Sequence, residues 1–382
     1  GNYSVSITDD NSCTITAGPI TITEPTVLAA TMGTPSMVSC NGGNDGSVTV
    51  TASGGTVAGS YTYFWSDGQT TATASNLVAG NYSVSITDDN SCTITAGPIT
   101  ITEPAVLSQT NTPSETNCFG GSDGAIDITV NGGTPPYDIA WTGTSSGTQN
   151  DAISSDGGNY TLGSLSQGGY SVTITDENGC QTNLSQTIFE PAELTANINS
   201  KTDVTCNGLT DGTATVTVAG GSSPYSYVWS NLQTTSGDLT GSNTATGFAQ
   251  GAISVTVTDR KNCQVISNST INEPAELSES HVENTVLCFG GSDGSADLTV
   301  SGGTAPYDII WTGTASGSQL DAITIDPGNY SITGLAQGSY NVTITDDNSC
   351  QEVTTVNIIQ PTLLTASISS FTDPSCFGFS DG

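Results

Sequence analysis

The 382-residue chain is strongly acidic and poor in apolar residues, and both properties limit what it can be. Its 36 Asp and Glu residues face three Lys or Arg residues, which gives a formal net charge of -33. Such a chain repels nucleic acid and anionic membranes, so we expect neither as a partner. With 34% hydrophobic and 6% aromatic residues, it can fill several thin β-sandwich cores but not one large core.

The first residues of the chain, GNYSVSITDDNSCTITAGPITITEP at 1–25, recur without change at 80–104. The chain is therefore a repeat array, and its period sets the size of the folding unit. The motif Cys-x-Gly-x-x-Asp-Gly marks the start of each later repeat, at Cys40, Cys118, Cys206, Cys288 and Cys376. The intervals are about 80 to 90 residues, which suits one β-sandwich per repeat.

Each repeat ends in a proline that follows an acidic or amide residue, as in Glu103-Pro104 and Gln360-Pro361. Boundaries placed there predict four complete β-sandwich domains, at 26–104, 105–191, 192–274 and 275–361. The C-terminal part of a repeat precedes them at 1–25, and the N-terminal part of another follows at 362–382. We therefore expect the chain to be part of a longer protein.

Within a repeat, the hydrophobic pattern has the two-residue period of half-buried β-strands. In domain 105–191 the predicted strands are 125–130, 137–141, 170–175 and 181–189, separated by Gly-rich turns. No segment has helical periodicity, and no apolar run is long enough to span a bilayer. The sequence predicts an all-β fold, a tandem array of immunoglobulin-like (PKD-like) β-sandwich domains that forms an extended rod.

Aromatic residues recur at two positions of the repeat. We expect one buried Trp in each sandwich, namely Trp65, Trp141, Trp229 and Trp311. The motif Leu-x-x-Gly-x-Tyr is similar to a tyrosine corner, in which the hydroxyl bonds to nearby backbone. It ends at Tyr82, Tyr170 and Tyr340. The third complete domain has Ile253 at this position, so it must fold without that hydroxyl.

Acidic pairs precede the second cysteine of three complete repeats, at Asp88-Asp89, Asp176-Glu177 and Asp346-Asp347. Clustered carboxylates could hold calcium, which is the one cofactor that the sequence suggests. The alternative is a solvated turn. The third complete repeat favours that alternative, because Arg260 and Lys261 stand there and would oppose a cation.

We expect no catalytic function. The one histidine, His281, has no recurring Ser or Cys partner. Paired carboxylates recur beside turns in several repeats, whereas an active site is a single pocketed group of residues.

Ten cysteines at ordered spacings predict disulfides, and hence an oxidising, extracellular compartment. Two registers are open. We favour pairs within a repeat, which require an even number of strands between the two cysteines; these pairs are Cys40–Cys92, Cys118–Cys180, Cys206–Cys263 and Cys288–Cys350. A seven-stranded sandwich would instead place the cysteines at opposite ends and join neighbouring repeats, as Cys40–Cys180, Cys118–Cys263 and Cys206–Cys350.

Three strings of the second complete repeat carry a family resemblance. They are CFGGSDG at 118–124 (also at 288–294), GGTPPY at 132–137 followed by Trp141, and GGYSVTITDENGC at 168–180. Together they resemble the SprB repeat, which is named for a large gliding-motility adhesin of Bacteroidota. The resemblance covers the whole chain. The departures are Asn41 and Asn207, which replace the Phe after the first cysteine, and Ile253.

The resemblance implies export through the type IX secretion system and display as a thin fibre on the outer-membrane cell surface. It also implies that the gliding machinery moves the fibre, and that other regions contact an external surface or polysaccharide. The first hypothesis is thus a structural shaft built from neighbouring repeats.

Two other functions stay open. The repeats themselves could bind glycans or other ligands, or the protein could belong to an extracellular matrix or surface layer without a motility role. A binding module should present an exposed aromatic cluster that recurs on one face.

Overall fold

The computed structural model describes residues 1–373, 375, 377, 378 and 380. Within these residues all of the regular secondary structure is β-strand. The chain divides into two units, Gly1–Pro191 and Ala192–Gly382. Each unit contains two β-sandwiches, each with its own hydrophobic cluster. Cys376, predicted to begin a further repeat, lies outside the described residues.

The first unit begins with a hairpin of β1 (Asn2–Thr8) and β2 (Thr14–Thr21). Its sequence is identical to that of a later hairpin in the same unit, and both form antiparallel pairs. Val5 and Ile7 are exposed here, whereas their counterparts Val84 and Ile86 are buried. Local sequence therefore forms the hairpin, and packing against further strands provides its burial.

Domain 26–104 is a sandwich of two three-stranded sheets, in the orders β3-β4-β6 and β5-β7-β8. Its strands are β3 (Thr26–Met32), β4 (Gly46–Gly55), β5 (Thr62–Trp65), β6 (Thr73–Leu77), β7 (Gly80–Thr87) and β8 (Thr93–Ile101). Alternate residues of β7 face inward: Tyr82, Val84 and Ile86 are buried. Their period of two matches the pleat of a strand.

Domain 105–191 adds a strand at the edge of its second sheet. The sheets have the orders β13-β10-β9 and β12-β11-β14-β15. The strands are β9 (Ser108–Ser114), β10 (Gly124–Asn131), β11 (Tyr137–Gly143), β12 (Gly147–Ile153), β13 (Asn159–Leu165), β14 (Gly168–Asp176) and β15 (Gln181–Ile188).

Both sandwiches of the second unit have this seven-stranded arrangement, with sheets β16-β17-β20 and β19-β18-β21-β22, then β23-β24-β27 and β26-β25-β28-β29. Domain 192–274 contains β16 (Thr195–Thr202), β17 (Gly212–Ala219), β18 (Tyr225–Trp229), β19 (Thr234–Asp238), β20 (Ser242–Phe248), β21 (Gly251–Thr258) and β22 (Gln264–Ile271). Domain 275–361 contains β23 (Ser278–Asn284), β24 (Gly294–Ser301), β25 (Tyr307–Thr312), β26 (Gly317–Ile323), β27 (Gly328–Leu335), β28 (Gly338–Asp346) and β29 (Gln351–Ile358). The predicted all-β, immunoglobulin-like class is confirmed.

The recurring Trp is buried in only two of the four sandwiches. Trp65 and Trp229 are buried, whereas Trp141 and Trp311 are partly buried beside their clusters, so the prediction is wrong for those two. The reason is the residue opposite. Trp141 pairs with Gly147 across β11 and β12, and its indole lies against that glycine, while Tyr137 and Ile139 occupy the core.

The tyrosine-corner motif has the expected geometry. Each hydroxyl donates to the carbonyl oxygen four residues earlier, from Tyr82 to Val78 at 3.0 Å, from Tyr170 to Ser166 at 3.1 Å and from Tyr340 to Ala336 at 3.0 Å. In domain 192–274, Ile253 occupies this position and is buried. The domain replaces the hydrogen bond with apolar packing.

Candidate functional site at the domain junctions

The turn that carries the second cysteine of domain 105–191 is organised by one carboxylate. Asp176 Oδ1 accepts hydrogen bonds from the backbone N–H groups of Asn178 (3.0 Å) and Cys180 (2.9 Å), and Oδ2 accepts from Thr134 N (2.8 Å). Asp176 is only 4% exposed. Because burial makes an unpaired N–H costly, this carboxylate fixes both the turn and the loop beside it.

The Gly-Gly pair of the repeat is what lets the carboxylate approach. Gly132 and Gly133 have φ values of +73° and +67°, in the left-handed region that favours glycine. A Cβ on Gly133 would lie 2.8 Å from Asp176 Oδ2. The carbonyl of Gly132 accepts from the hydroxyl of Tyr137 at 2.6 Å, which joins the loop to the core.

The same turn recurs in the other sandwiches. Asp88, Asp259 and Asp346 are buried. Each accepts one hydrogen bond from the backbone N–H of the cysteine four residues later, and another from the backbone N–H of the residue after its Gly-Gly pair. The N–H groups of Thr56 and Cys92 hold the pKa of Asp88 below its ordinary value, against the opposing effect of burial.

These contacts bear on the calcium candidates. Asp88, Asp176 and Asp346 direct their carboxylates at backbone N–H groups, and Asp89 accepts from Ala58 and Gly59. Glu177 and Asp347 are exposed. Within the described residues, no group of three or more His, Cys, Asp or Glu side chains is placed to hold a metal ion.

The loop of the first cysteine lies at the other end of each sandwich. In domain 26–104, Glu103 Oε2 accepts from Gly42 N at 2.6 Å, and Asp45 Oδ1 accepts from Ser39 N at 2.9 Å. The hydroxyl and N–H of Ser39 lower the pKa of Asp45. The Glu-Pro and Asp-Gly motifs therefore supply acceptors that close the loop around Cys40.

This closure recurs with one alternation. Gly120 N donates to Glu190 Oε2 at 2.7 Å, Gly208 N to Glu273 Oε2 at 2.8 Å, and Gly290 N to Gln360 Oε1 at 2.7 Å. Asn41 and Asn207 donate to the carbonyls of Pro104 and Pro274. Phe119 and Phe289, at the equivalent position, are about half exposed.

In the unit Gly1–Pro191 these two kinds of end meet. Cys40 forms a disulfide with Cys180, and their Cα atoms are 5.7 Å apart. The side-chain amide of Asn178 donates to Ser39 O of the preceding domain and to Thr134 Oγ1 of its own, both at 3.1 Å. A covalent bond and an interdomain hydrogen bond thus join the two sandwiches.

In the unit Ala192–Gly382 the same junction is built from different residues. Cys206 is bonded to Cys350, again with 5.7 Å between Cα atoms. Asn348 donates to Thr205 O at 3.1 Å and to Thr304 Oγ1 at 3.0 Å. Every contact has its counterpart in the first unit, so the same junction recurs in both units.

These bonds overturn the favoured register. Pairing within a repeat is wrong for Cys40–Cys92, Cys118–Cys180, Cys206–Cys263 and Cys288–Cys350, because Cys40, Cys180, Cys206 and Cys350 have the other partners. Within the described residues Cys13, Cys92 and Cys288 are free and exposed. The remaining alternative pair, Cys118–Cys263, stays a prediction.

Strand direction is the physical reason. In domain 26–104, β4 pairs antiparallel with β6, and β6 turns directly into β7, so β4 and β7 run the same way. Cys40 precedes β4 and Cys92 follows β7, which puts them at opposite ends of the sandwich. Four strands do separate them, but residues 66–72 carry the chain back without forming a strand.

Four segments of the chain match the family model described as SprB repeat, at residues 33–70, 110–146, 198–234 and 284–316. Each match runs from before the first cysteine of a repeat to beyond its Trp. The chain carries four SprB repeats. The SprB match leaves out the later half of each domain, including the turn of Asp176 and the second cysteine.

A search of curated proteins finds no significant relative. Solved structures similar to the SprB-repeat chain include a tetra-tandem repeat from the extending region of a large adhesion protein (15% identity, 87% of this chain, 98% of that chain, TM-score 0.30). Another is the N-terminal eight Ig domains of Down syndrome cell adhesion molecule (13% identity, 94% of this chain, 51% of that chain, TM-score 0.26). A third is bacterial invasin (16% identity, 66% of this chain, 60% of that chain, TM-score 0.27). The chain spans about half of the Down syndrome molecule fragment. At such TM-scores the similarities carry no functional argument.

Several residues of the junction were not predicted from the sequence. Asn178 and Asn348 occupy the third position of an Asp-x-Asn-x-Cys pattern, which recurs at 9–13, 88–92, 176–180 and 346–350 and was the available signal. Glu103 and its counterparts were used only to place boundaries. Their role as acceptors depends on a loop some sixty residues earlier in the chain, as the separation of 61 residues from Gly42 illustrates.

Proposed function

We propose that the chain is a structural shaft in a bacterial cell-surface adhesin fibre that serves gliding motility or surface adhesion. The SprB repeats and the disulfides support the coarser statement, a secreted or cell-surface repeat protein of the adhesin type. The proposal assigns no catalytic role and no cofactor to this segment.

The observation that carries the proposal is the junction. Cys40–Cys180 and Cys206–Cys350 each fix one sandwich to the next, with the same amide hydrogen bond beside them. A feature repeated at the junction of each unit acts on the array rather than on a ligand, and its effect scales with the number of repeats. Such junctions suit an element whose work is to span distance.

The carboxylates support the same conclusion. The buried Asp of each turn accepts backbone N–H groups, and the Glu or Gln before each boundary proline accepts from the first-cysteine loop. These polar groups are therefore engaged in holding the fold and the junction. A calcium ion at the acidic turns would have to share carboxylate oxygens that already accept these backbone N–H groups.

Binding by the repeats themselves is the alternative function. Its clearest support would be an exposed aromatic surface common to every repeat. Phe119 and Phe289 are exposed, but Asn41 and Asn207 occupy the same position in the alternate repeats. The aromatic surface is thus interrupted along the array, which favours the shaft.

The finer parts of the proposal concern place and partners. We infer export by the type IX secretion system to the outer-membrane surface, movement by the gliding machinery, and contact with an external surface or polysaccharide through other regions. The net charge of -33 fits this setting, because like-charged shafts repel each other and the envelope. Neighbouring repeats are the partners within the chain.

Deleting residues 105–274 in frame tests the proposal. The deletion removes two complete domains and joins Pro104 to Ala275. Cys350 then takes the place of Cys180 as the second cysteine of the domain that follows Cys40. We expect shorter fibres and a graded loss of adhesion or gliding in the source bacterium. As a control, two unrelated β-sandwich domains of the same length should restore function. If they restore length but not adhesion, the repeats bind the ligand and the shaft proposal is wrong.

A further inference from the structure

The two described disulfides decide how tension would travel through each unit. In Gly1–Pro191 the chain passes through β3 into domain 26–104 and leaves domain 105–191 through β15. Cys40 follows β3, and Cys180 directly precedes β15. The bond between them is a covalent path that omits residues 41–179, over a sequence separation of 140.

The second unit has the same arrangement. The chain enters domain 192–274 through β16 and leaves domain 275–361 through β29. Cys206 follows β16, and Cys350 directly precedes β29. This bond omits residues 207–349, over a separation of 144.

We propose that these disulfides are tension straps, which carry a pulling load across the domain junction within each unit and keep most of both sandwiches out of the load path. The inference goes beyond the proposed shaft function. Only its biological meaning rests on that function, because the load path is a property of the covalent connections.

The placement of the hydrophobic clusters fits a strap. In domain 26–104, Val38 is the one buried member of the cluster that precedes Cys40, and the others lie in the omitted residues. In domain 105–191, only Leu184 and Ile188 follow Cys180. Pulling on a unit would therefore load one edge strand of each domain, while most of each core lies outside the loaded segments.

The turn around each strap supports the load geometry. Asp176 fixes the backbone of Cys180, and Glu103 fixes the loop of Cys40, so both ends of the bond lie in hydrogen-bonded turns. The amide of Asn178 donates across the junction beside the disulfide. Two rigid turns joined in this way transmit force without first extending a slack loop.

Single-molecule force spectroscopy on the full chain, with handles at its two ends, tests the proposal. With both straps closed, the taut path comprises residues 1–40, 180–206 and 350–382. That is about 100 residues, or about 350 Å at roughly 3.5 Å per residue. After reduction with dithiothreitol the same molecule should reach about 1,300 Å, nearly a fourfold increase.

Cysteine variants localise the effect. In a chain that also carries Cys118→Ser and Cys263→Ser, so that no further bond can shorten the path, the double variant Cys40→Ser, Cys180→Ser should lengthen the fully extended, oxidised chain by about 490 Å, because it returns one omitted segment to the path. The matched control is Cys92→Ser, which removes a free thiol and should leave the extension unchanged. Extension is read after complete unfolding, so a variant that folds poorly still gives an answer.

An oxidised chain that reaches the reduced length would overturn the straps, as would a double variant that behaves like the control. Either result would leave the shaft proposal standing, because fibre length and adhesion in cells are measured separately. Conversely, the force measurement could show the straps while the deletion of residues 105–274 leaves fibre length unchanged. That outcome would refute the shaft proposal alone.

Discussion

Removing the carboxylate of Asp176 should destabilise domain 105–191 by about 3 kcal/mol. The substitution Asp176→Ala leaves the N–H groups of Thr134, Asn178 and Cys180 without their acceptor. A buried unsatisfied donor costs about 1–3 kcal/mol. Asn178 is exposed and can turn to water, so two donors account for most of the effect.

Hydrogen exchange followed by mass spectrometry measures this loss in one domain at a time. Peptides from β14 and β15 report the opening of domain 105–191, and peptides from β28 and β29 report domain 275–361. A loss of about 3 kcal/mol should speed exchange through opening by about 100-fold in the first set. The second set serves as an internal reference, because Asp346 still holds the equivalent turn.

The matched control is Glu177→Ala, which removes the neighbouring exposed carboxylate and should leave exchange unchanged. Asp346→Ala should transfer the effect to the second unit. If Asp176→Ala and Glu177→Ala behave alike, the hydrogen bonds of the turn do not stabilise the domain and the reasoning fails.

The hydroxyl of Tyr227 lowers the pKa of Asp238 to about 2, so this carboxylate stabilises domain 192–274 above pH 4 and loses that effect as pH falls towards 2. Tyr227→Phe should lower stability at neutral pH and flatten its pH dependence between 4 and 2, measured by exchange in β18 and β21 peptides. Alkylation without reductant should label Cys13, Cys92 and Cys288, and non-reducing peptide mapping should recover Cys40 with Cys180 and Cys206 with Cys350; protected or exchanged thiols would contradict the register. The melting temperature of the protein should be the same in EDTA and in millimolar calcium. A higher melting temperature in calcium would show that the acidic turns bind the metal.

The fold class could be predicted because both of its signals are local. Alternation along each strand, as in Tyr170, Val172 and Ile174, fixes a buried face, and the repeat fixes the domain size. The state of Trp141 could not be predicted in this way. It has the inward parity of its strand, but its burial depends on Gly147, which lies on a strand that one domain lacks.

The disulfide register needed strand directions that counting does not supply. Residues 66–72 carry the chain back across the sandwich without forming a strand. Cys40 and Cys92 therefore lie at opposite ends, although the number of strands between them is even. The acceptors of the junction were hidden for a related reason. Asp176 and Thr134, or Glu103 and Gly42, meet only after the sheets have formed, and neither pair has a sequence spacing that indicates contact.

Domain 192–274 shows which residue the acidic turn requires, because two of the residues that accompany the turn in the other domains are replaced there. The second position of the acidic pair is Arg260 there, and the corner tyrosine is Ile253, yet Asp259 is retained. Asp259 accepts from Lys261 N at 2.8 Å, Cys263 N at 2.9 Å and Ser222 N at 2.8 Å, as Asp176 does in its own domain. One carboxylate at the first position is therefore sufficient for the turn, and a basic neighbour does not disturb it. A cation site would need the second carboxylate, whereas a turn that holds a cysteine at the end of a sandwich needs only the first.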